Sequence, residues 1–352
     1  MTVADTTLSQ MPHPSGPVAD QFAQRIADLE RSALSPRAVH SYETAGRRLP
    51  DNDDCTLRTP FQRDRDRIVH CKAFRRLKQK TQVFIAPEGD HFRTRLTHTL
   101  EVSGIARGVA RALRLNEDLT EAVALGHDLG HAPFGHTGEE AIDGVLRREH
   151  GRRFRHNEHS LRVVDVLEHD GRGLNLTEEV RDGILHHTGA VEPSTLEGGI
   201  VRLVDRFAYV NHDIDDALRA GILDEDRLPV DPVALLGDTA SERIDALVHD
   251  LVETSDTAGA IAQSPEAAEA LLTLRSFMFE RVYVGPIARR ETVRAREMVE
   301  QLLRHFVAEG DSLPGAPGSD AATRATDWVA GMTDRYCIRA FEDLTVPQAF
   351  AV

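Results

Sequence analysis

Apolar residues recur at spacings of three and four along most of the chain, which is the period of a helix with one buried face. Alternation typical of a strand is confined to the short segment 82–85. The segments with helical period are 21–34, 100–115, 119–129, 141–149, 160–169, 178–187, 199–220, 267–284 and 287–307. The pattern predicts an all-α fold, with a compact multi-helix core and additional C-terminal helices.

Turn residues and composition divide this pattern into four parts. The first 20 residues are polar and contain three prolines, which predicts a disordered tail. No repeat with a period of 20 to 50 residues is present, so a solenoid is not expected. We predict a tail over 1–20, a helix and loop over 21–60, a catalytic core over 61–225 and a helical region over 226–352 that packs on the core.

The composition is that of a globular protein with an aliphatic interior. Hydrophobic residues make up 41% of the chain and aromatic residues only 5%, and the formal net charge is −15. This acidity argues against general binding to nucleic acid or anionic membranes. Three widely spaced cysteines, with no C-x-x-C pair, favour a reducing compartment and offer no thiolate zinc site. No apolar run approaches the roughly 20 residues of a membrane span, and the start lacks signal-peptide character, so we expect a cytoplasmic protein.

Histidine is the most informative residue type, because eleven of the 17 histidines lie between residues 91 and 187. His127 and Asp128 follow an apolar helical segment, and adjacent side chains leave a helix about 100° apart. An ion between them can therefore take one nitrogen and one oxygen. His98 on the preceding helix and Asp205 on a later apolar helix complete a sulfur-free set. These four residues predict a site for one divalent ion, which can be Mn, Mg, Fe, Co, Ni or Zn.

Two further spacings suggest chemistry next to that ion. Asp205, Tyr209 and Asp213 are four residues apart and share one helix face, which suits phosphate at the metal, deoxyribose on Tyr209 and a 3′-hydroxyl near Asp213. The alternative is a capped or salt-bridged core helix. His136 and Glu139 stand three apart at a predicted helix start, where the carboxylate can fix the imidazole tautomer. The alternative here is helix capping.

Phosphate binding needs cations, and segment 61–80 holds eight Lys and Arg residues against two Asp. A solvated helix face explains most of them. Arg95, on the same face as His98, is a better phosphate ligand because a guanidinium can fork onto two oxygens. Arg206, beside Asp205, is a second. No Gly-x-x-x-x-Gly-Lys-Ser/Thr segment occurs, so an ordinary P-loop enzyme is not supported.

Four ordered motifs add a resemblance to these observations. They are FRRLKQKTQVF at 74–84, RTRLTHTLEV at 93–102, GHDLGHAPFGHTGE at 126–139 and DRFAYVNHD at 205–213. Together they resemble the HD-domain phosphohydrolases, and among these the deoxynucleoside triphosphate triphosphohydrolases of the deoxyguanosine triphosphatase type, through most of residues 61–290. The resemblance implies an all-helical fold, one divalent ion held by the HD motif, and release of tripolyphosphate and a deoxynucleoside.

The resemblance also implies roles for individual residues. Metal ligands are His98, His127, Asp128 and Asp205. Residues of the catalytic dyad and the phosphate site are His136, Glu139, His131 and His156. Substrate contacts are Gln82, Arg95, Arg206, Tyr209, Asp213, Arg275 and Tyr283. Close packing of the Tyr209 ring on C2′ of the sugar would exclude a 2′-hydroxyl. For His159, His186 and His187 we favour structural roles.

The activity predicted is metal-dependent hydrolysis of dGTP, or of dNTPs broadly, which would contribute to control of the dNTP pool. One alternative is another HD phosphohydrolase, acting on nucleoside monophosphates or alarmones. Another is a nucleotide-sensing or nucleic-acid-binding protein with a secondary HD site. Candidate partners besides the dNTP substrate are a dNTP activator, copies of the chain in a dimer to hexamer, and single-stranded DNA. The base preference cannot be read from the sequence.

Overall fold

The computed structural model describes residues 16–50, 56–82, 93–224, 227–283 and 286–347. These residues form the helices α1 (Pro17–Ala33), α2 (Pro60–His70), α3 (Lys72–Arg76), α4 (Arg95–Ala112), α5 (Glu117–Gly126), α6 (His136–His150), α7 (His156–Arg162), α8 (Glu168–Gly171), α9 (Glu178–His186), α10 (Leu196–Arg219), α11 (Val230–Leu236), α12 (Ala240–Ala258), α13 (Pro265–Met278), α14 (Pro286–Glu309), α15 (Ala321–Ala330) and α16 (Asp334–Thr345). Short 3₁₀ turns follow α1, α3 and α14, and π-helical turns extend α7 and α13.

β-structure in the described residues is limited to two isolated bridges, Arg47 with Thr177 and Thr81 with Thr94. The predicted all-α fold is thereby confirmed. The predicted strand segment 82–85 falls outside the described residues except for Gln82. None of the described helices is both long enough and apolar enough to cross a membrane.

Helix starts follow local capping chemistry. Thr59 forms a capping box with Gln62 at the start of α2, and Thr239 does so with Glu242 at α12, each pair satisfying free N–H groups of a first turn. α1 begins at Pro17, so residues 17–20, which were predicted to belong to the tail, are helical. A proline fits the first helical position because its φ is already helical. Residues 1–15 lie outside the described residues.

Among the described helices with ten or more residues, four lie outside the segments with helical period: α2, α12, α15 and α16. The signal for α12 was present, since Thr239 and Glu242 form its capping box and Leu247 and Leu251 are fully buried on one face. α15 was harder to recognise, because its buried residues are mainly alanine and one valine, which give a weak hydrophobic period.

Two hydrophobic clusters form the interior. The larger one joins apolar residues of α2, α4, α5, α9, α10, α12 and α13. The smaller one joins α6 with α14, α15 and Cys337 of α16. Packing therefore crosses the predicted boundary near residue 225 in both directions. The division into four parts stays a prediction, because clusters describe packing and not independent folding units.

Helix α5 is central to the larger cluster, with every residue from Leu119 to Gly126 buried except Glu121. It ends at Gly126, and His127 is its C-cap. α4 begins at Arg95, which places His98 in its first turn. Asp205 lies near the middle of α10. The fold thus places the predicted metal ligands where these three helices meet.

Candidate active site

The four predicted metal ligands lie together. Nitrogen and oxygen atoms of His98, His127 and Asp128 are within 4.8 Å of one another. Asp205 Oδ1 lies 3.0 Å from His98 Nε2 and 3.7 Å from His127 Nε2. The two histidines and Asp128 are buried, whereas 19% of the Asp205 side chain is exposed. The set is therefore shielded from solvent except at Asp205 of α10.

The His127 ring is oriented as a cation ligand would be. Its Nδ1 lies 2.6 Å from the carbonyl oxygen of Ala124, so Nδ1–H donates there and Nε2 is the nitrogen that faces the carboxylates. This Nε2 is buried without a hydrogen-bond partner, and it lies 3.7 Å from oxygens of both Asp128 and Asp205. Burying such a nitrogen without a partner costs free energy. The imidazole nitrogens of His98 and His127 and the carboxylates of Asp128 and Asp205 form a ligand set that fits a divalent ion.

Positive groups keep both carboxylates ionised. Arg95 is 2% exposed and its Nη1 donates to Asp128 Oδ2 at 2.7 Å. Burial opposes ionisation of Asp128, but the charges of His127 and Arg95 hold its pKa well below the usual range. Burial likewise opposes ionisation of Asp205, and its hydrogen bond with His98 lowers the pKa. Arg95 Nε is buried without a partner, so this guanidinium has a donor left for an anion.

Glu139 serves two histidines rather than one. Its Oε2 lies 2.9 Å from His156 Nδ1 and 3.3 Å from His136 Nδ1, and its Oε1 accepts the backbone N–H of His156 at 3.0 Å. Burial opposes its ionisation, but the hydrogen bonds with His136 and His156 hold the pKa of Glu139 far below its usual range. α6 begins at His136, as predicted. His136 is 76% exposed and His156 only 12%, so the carboxylate holds the inner ring more tightly.

His187 lies between the predicted metal ligands and the Glu139 group, although a structural role was expected for it. Its Nδ1 lies 2.7 Å from the carbonyl oxygen of Ile184, and its Nε2 lies 3.2 Å from His156 Nε2. Burial and the charges of His127 and His156 lower the pKa of His187 to about 3. Its ring is therefore neutral, with Nδ1–H donating to the carbonyl and Nε2 accepting from His156.

These contacts favour the protonated form of His156. Burial alone would lower the pKa of His156, but the hydrogen bond and charge of Glu139 raise it. Its Nδ1 faces Glu139 Oε2 at 2.9 Å and its Nε2 faces His187 Nε2 at 3.2 Å, so both ring nitrogens lie within hydrogen-bond distance of an acceptor. His131 stacks on this ring at 4.2 Å and 14°. Burial, then the charges of Arg95 and His156, lowers the pKa of His131 well below its usual range.

The atoms of this second group are close enough to suggest another ion, because ligand atoms of His131, His136, Glu139 and His156 lie within 4.8 Å of one another. The rings of His131 and His156 are nearly parallel, however. In-plane nitrogens of two stacked rings point along parallel planes and do not converge on an ion between them. The ring geometry of this group is therefore less suited to an ion than that of His98, His127 and Asp128.

The predicted sugar contacts lie together beyond Asp205 on the same face of α10. The Tyr283 hydroxyl donates to Asp213 Oδ2, and Arg275 donates to the Tyr209 hydroxyl. Asp213 Oδ1 is buried and has no hydrogen-bond partner, and burial raises the pKa of Asp213 to about 7. Tyr283 belongs to the π-helical turn Phe279–Tyr283, a geometry often found at functional sites.

The remaining predicted residues take less defined positions. The Gln82 amide oxygen is buried without a partner among the described residues. Arg206 is half-buried on α10. In the basic segment 61–80, Arg67 donates to the carbonyl oxygens of residues 174 and 175, and Lys80 is fully internal. His159 and His186 approach Asp327 and Asp182 within 3.4 and 3.7 Å, in keeping with structural roles.

Comparison with known proteins agrees with this geometry. Residues 95–210 match the HD domain and residues 261–343 match the phosphohydrolase-associated domain. The chain is 52% identical over 325 residues to a deoxyguanosinetriphosphate triphosphohydrolase-like protein of Caldanaerobacter subterraneus subsp. tengcongensis, covering 91% of this chain and 94% of that protein. Proteins with the same description from Clostridium perfringens and Desulfatibacillum aliphaticivorans are 46% and 43% identical over 343 and 354 residues, covering 93% and 94% of this chain and 98% of each relative.

A solved structure of a hypothetical protein from Aquifex aeolicus covers 79% of this chain and 67% of its own, with a TM-score of 0.43 and 18% identity. We draw nothing from so distant a likeness. The identity to the sequence relatives extends through both matched domains and nearly the full length of each protein. The chain therefore belongs to the deoxyguanosinetriphosphate triphosphohydrolase-like family of HD-domain phosphohydrolases, and it is a hydrolase.

Proposed function

We propose that this protein hydrolyses deoxynucleoside triphosphates to a deoxynucleoside and tripolyphosphate, and so contributes to control of the dNTP pool. The observation that carries the proposal is the order of side chains on α10. Tyr209 and Asp213 follow Asp205 by four and eight residues, or about 6 and 12 Å along a helix. A nucleotide with its α-phosphate at the metal ligands would place its sugar on Tyr209 and its 3′-hydroxyl near Asp213.

The proposed reaction needs positive charge and proton transfer. His98, His127, Asp128 and Asp205 would hold a divalent cation, which would supply the charge that polarises a phosphate oxygen and acidifies water. Arg95, Arg206 and the His156 imidazolium would neutralise the remaining phosphate oxygens, since phosphoryl chemistry depends mainly on positioning and charge.

The bond changes follow from the products. Water attacks the α-phosphorus in line, and the bond between the α-phosphorus and the 5′-oxygen breaks. The three phosphates leave together as tripolyphosphate, and the 5′-oxygen takes up a proton. His136, oriented by Glu139 at Nδ1, would transfer that proton at Nε2, which its exposure leaves open to substrate and solvent.

Substrate selection would lie at the sugar. Tyr209 is held by Arg275 and packs against the larger hydrophobic cluster, so its ring cannot move away easily. A ring fixed against C2′ leaves no room for a 2′-hydroxyl. Asp213 keeps one oxygen available for the 3′-hydroxyl, because Tyr283 occupies only the other.

A panel of the four dNTPs and four NTPs with Mn²⁺ or Mg²⁺ tests the proposal, with and without a second dNTP as activator. Phosphorus NMR should show tripolyphosphate from dNTPs only, and Tyr209→Ala should reduce the preference for deoxy substrates. Pyrophosphate with a nucleoside monophosphate, or orthophosphate alone, would show a different reaction. Turnover of monophosphates or alarmones in place of dNTPs would identify another HD phosphohydrolase activity.

Loss of one ligand should remove both the metal and the reaction. For Asp205→Ala we expect metal content and turnover to fall by at least about 100-fold, since a direct ligand matters more than its surrounding groups. Asp215→Asn is the matched control, because Asp215 lies on the same helix and pairs with Arg93 and Arg219. Elemental analysis after dialysis measures the metal. Full activity of metal-free Asp205→Ala would contradict the proposed ligand set.

A further inference from the structure

The loop between α5 and α6 has a backbone that must be held in place. Phe134 has a φ of +59°, in the left-handed region that non-glycine residues enter at a cost. Gly135 follows with a φ of +59°, and a Cβ on it would lie 2.8 Å from Arg95 Nη2. This strained loop connects His127 and Asp128 to His136, so its position sets the distance between the predicted metal ligands and the proposed proton-transfer residue.

Asp334, the first residue of α16, holds this loop from the far end of the chain. It is 3% exposed. Its Oδ1 accepts the backbone N–H of Phe134 at 2.9 Å, and its Oδ2 accepts the backbone N–H of Thr81 at 2.9 Å. Thr81 directly precedes Gln82, and Phe134 lies two residues before His136. The Asp334 carboxylate thus connects the chain next to Gln82, a predicted sugar contact, to the chain next to His136 of the proposed dyad.

Lys80 forms a second connection at the same place. Its side chain is buried, and its Nζ donates to the carbonyl oxygens of His131 and Ala330, the latter at 2.9 Å. Ala330 is the last residue of α15. The end of α15 and the start of α16 therefore both contact the active-site segments. Burial lowers the pKa of Lys80 to about 7, and the nearby Asp334 carboxylate opposes this shift.

We propose that Asp334 is a positioning residue, which fixes the spacing between Gln82 and His136 and so aligns the sugar with the proton-transfer group. The phosphohydrolase-associated domain, which contains Asp334, would then complete the active site instead of only adding stability. The inference rests on the proposed function. Two oxygens are required, because each backbone N–H takes a separate acceptor.

Asp334→Asn tests this requirement at nearly constant volume. The Asn side chain offers one acceptor oxygen, which can serve the backbone N–H of only one of Phe134 and Thr81. Its NH₂ would face the N–H of the other residue, which would then be buried without an acceptor. We expect kcat to fall by about 10- to 100-fold, because small misplacements of reacting groups reduce the rate by about this much. Metal content should be unchanged, and KM should change less than kcat. Hydrogen exchange should become faster at Phe134 and Thr81.

Asp320→Asn is the matched control. Asp320 caps α15 and pairs with Arg152, so its loss should lower the melting temperature without lowering kcat per folded molecule. Equal kcat for Asp334→Asn and Asp320→Asn at matched folded fraction would overturn the positioning role.

Wild-type protein gives a test that does not depend on a variant folding. Its Phe134 amide should exchange as slowly as buried amides of α16, and rapid exchange would overturn the connection. If the wild type releases no tripolyphosphate, the proposed function fails, while hydrogen exchange still decides whether Asp334 holds the loop.

Discussion

Charge states in the site follow from the neighbours of each side chain. His187 is neutral because it is buried beside other histidines, whereas the hydrogen bond and charge of Glu139 raise the pKa of His156. The same residue type thus has opposite roles at 3.2 Å separation. Both ring nitrogens of His156 already have partners, Glu139 and His187, so the ring is held in place and has no free donor of its own.

Asp213 should make substrate binding depend on pH. Burial raises its pKa to about 7, so the carboxyl is protonated below this value and ionised above it, where it accepts a hydroxyl proton more strongly. We expect KM for a dNTP to fall by up to about 10-fold between pH 6 and 8. The charged or titratable groups acting on it are Tyr283, His98, Asp216 and Arg95.

Asp213→Asn provides the control for that pH dependence. The amide cannot ionise, so the KM profile should become flat over this range while a carbonyl oxygen remains to accept the hydroxyl. Steady-state kinetics at constant ionic strength measure both profiles. A wild-type KM that is constant between pH 6 and 8 would contradict the assignment.

Glu139→Gln should impair proton transfer without affecting the metal. The neutral amide would no longer stabilise the His156 imidazolium or orient His136, and general acid–base contributions of this kind are worth about 10²- to 10⁴-fold in rate. The neighbouring Glu140→Gln is the control, because Glu140 is exposed and pairs with Arg296. Single-turnover kinetics and metal analysis distinguish the two effects. Metal loss from Glu139→Gln would place Glu139 among the ligands instead.

At the scale of elements, close helix packing positions the ligands. A Cβ on Gly183 of α9 would lie 2.6 Å from the Val123 side chain of α5. A Cβ on Gly126, at the end of α5, would lie 2.5 Å from Ile184. α5 and α9 therefore approach more closely than larger residues allow, and this brings His127 and His187 to a ring separation of 5.1 Å.

Two glycine substitutions compare packing with helix propensity. Gly183→Ala should destabilise the protein by about 1–3 kcal/mol, as overpacked cores do. Gly104→Ala, inside α4 with nothing within 4 Å of the added methyl, should stabilise it by roughly 0.5–1 kcal/mol. Denaturant unfolding followed by circular dichroism measures both. Equal effects would mean that α5 and α9 tolerate a wider separation.

Much at this scale could be predicted from the sequence. The start of α6 at His136, the end of α9 at His186 and the long α10 follow from local periodicity and capping, which depend on neighbours along the chain. The segment predicted over 160–169 was less accurate, because α7 ends at Arg162 and a π-helical turn follows over Val163–Leu167. A change of helix type is determined by packing and leaves the apolar spacing almost unchanged.

At the scale of the whole molecule, α6 connects the active site to the C-terminal helices. Its apolar residues pack with α14 and α15 in the smaller cluster, while its first residue is His136. The C-terminal helices therefore support the proposed dyad from behind, in addition to the contacts of Asp334.

Leu302→Ala tests the strength of this support. Leu302 of α14 is fully buried in the smaller cluster, so the substitution should reduce the free energy of unfolding by about 2–5 kcal/mol. Leu344→Ala in α16, where the side chain is 40% exposed, should cost far less. Thermal unfolding measures the pair. A small effect of Leu302→Ala would show that the smaller cluster contributes little to stability.

The sequence by itself determined most of the helices, the family, and which residue types provide nitrogen, oxygen and cationic groups, because periodicity and motif spacing are local properties of the chain. Only the tertiary structure decided that Glu139 holds His156 as well as His136, that His187 lies between the two groups, and that Asp334 reaches Thr81 and Phe134. These partners are as many as 253 residues apart. Which of them meet depends on how the helices pack, and no local spacing records that.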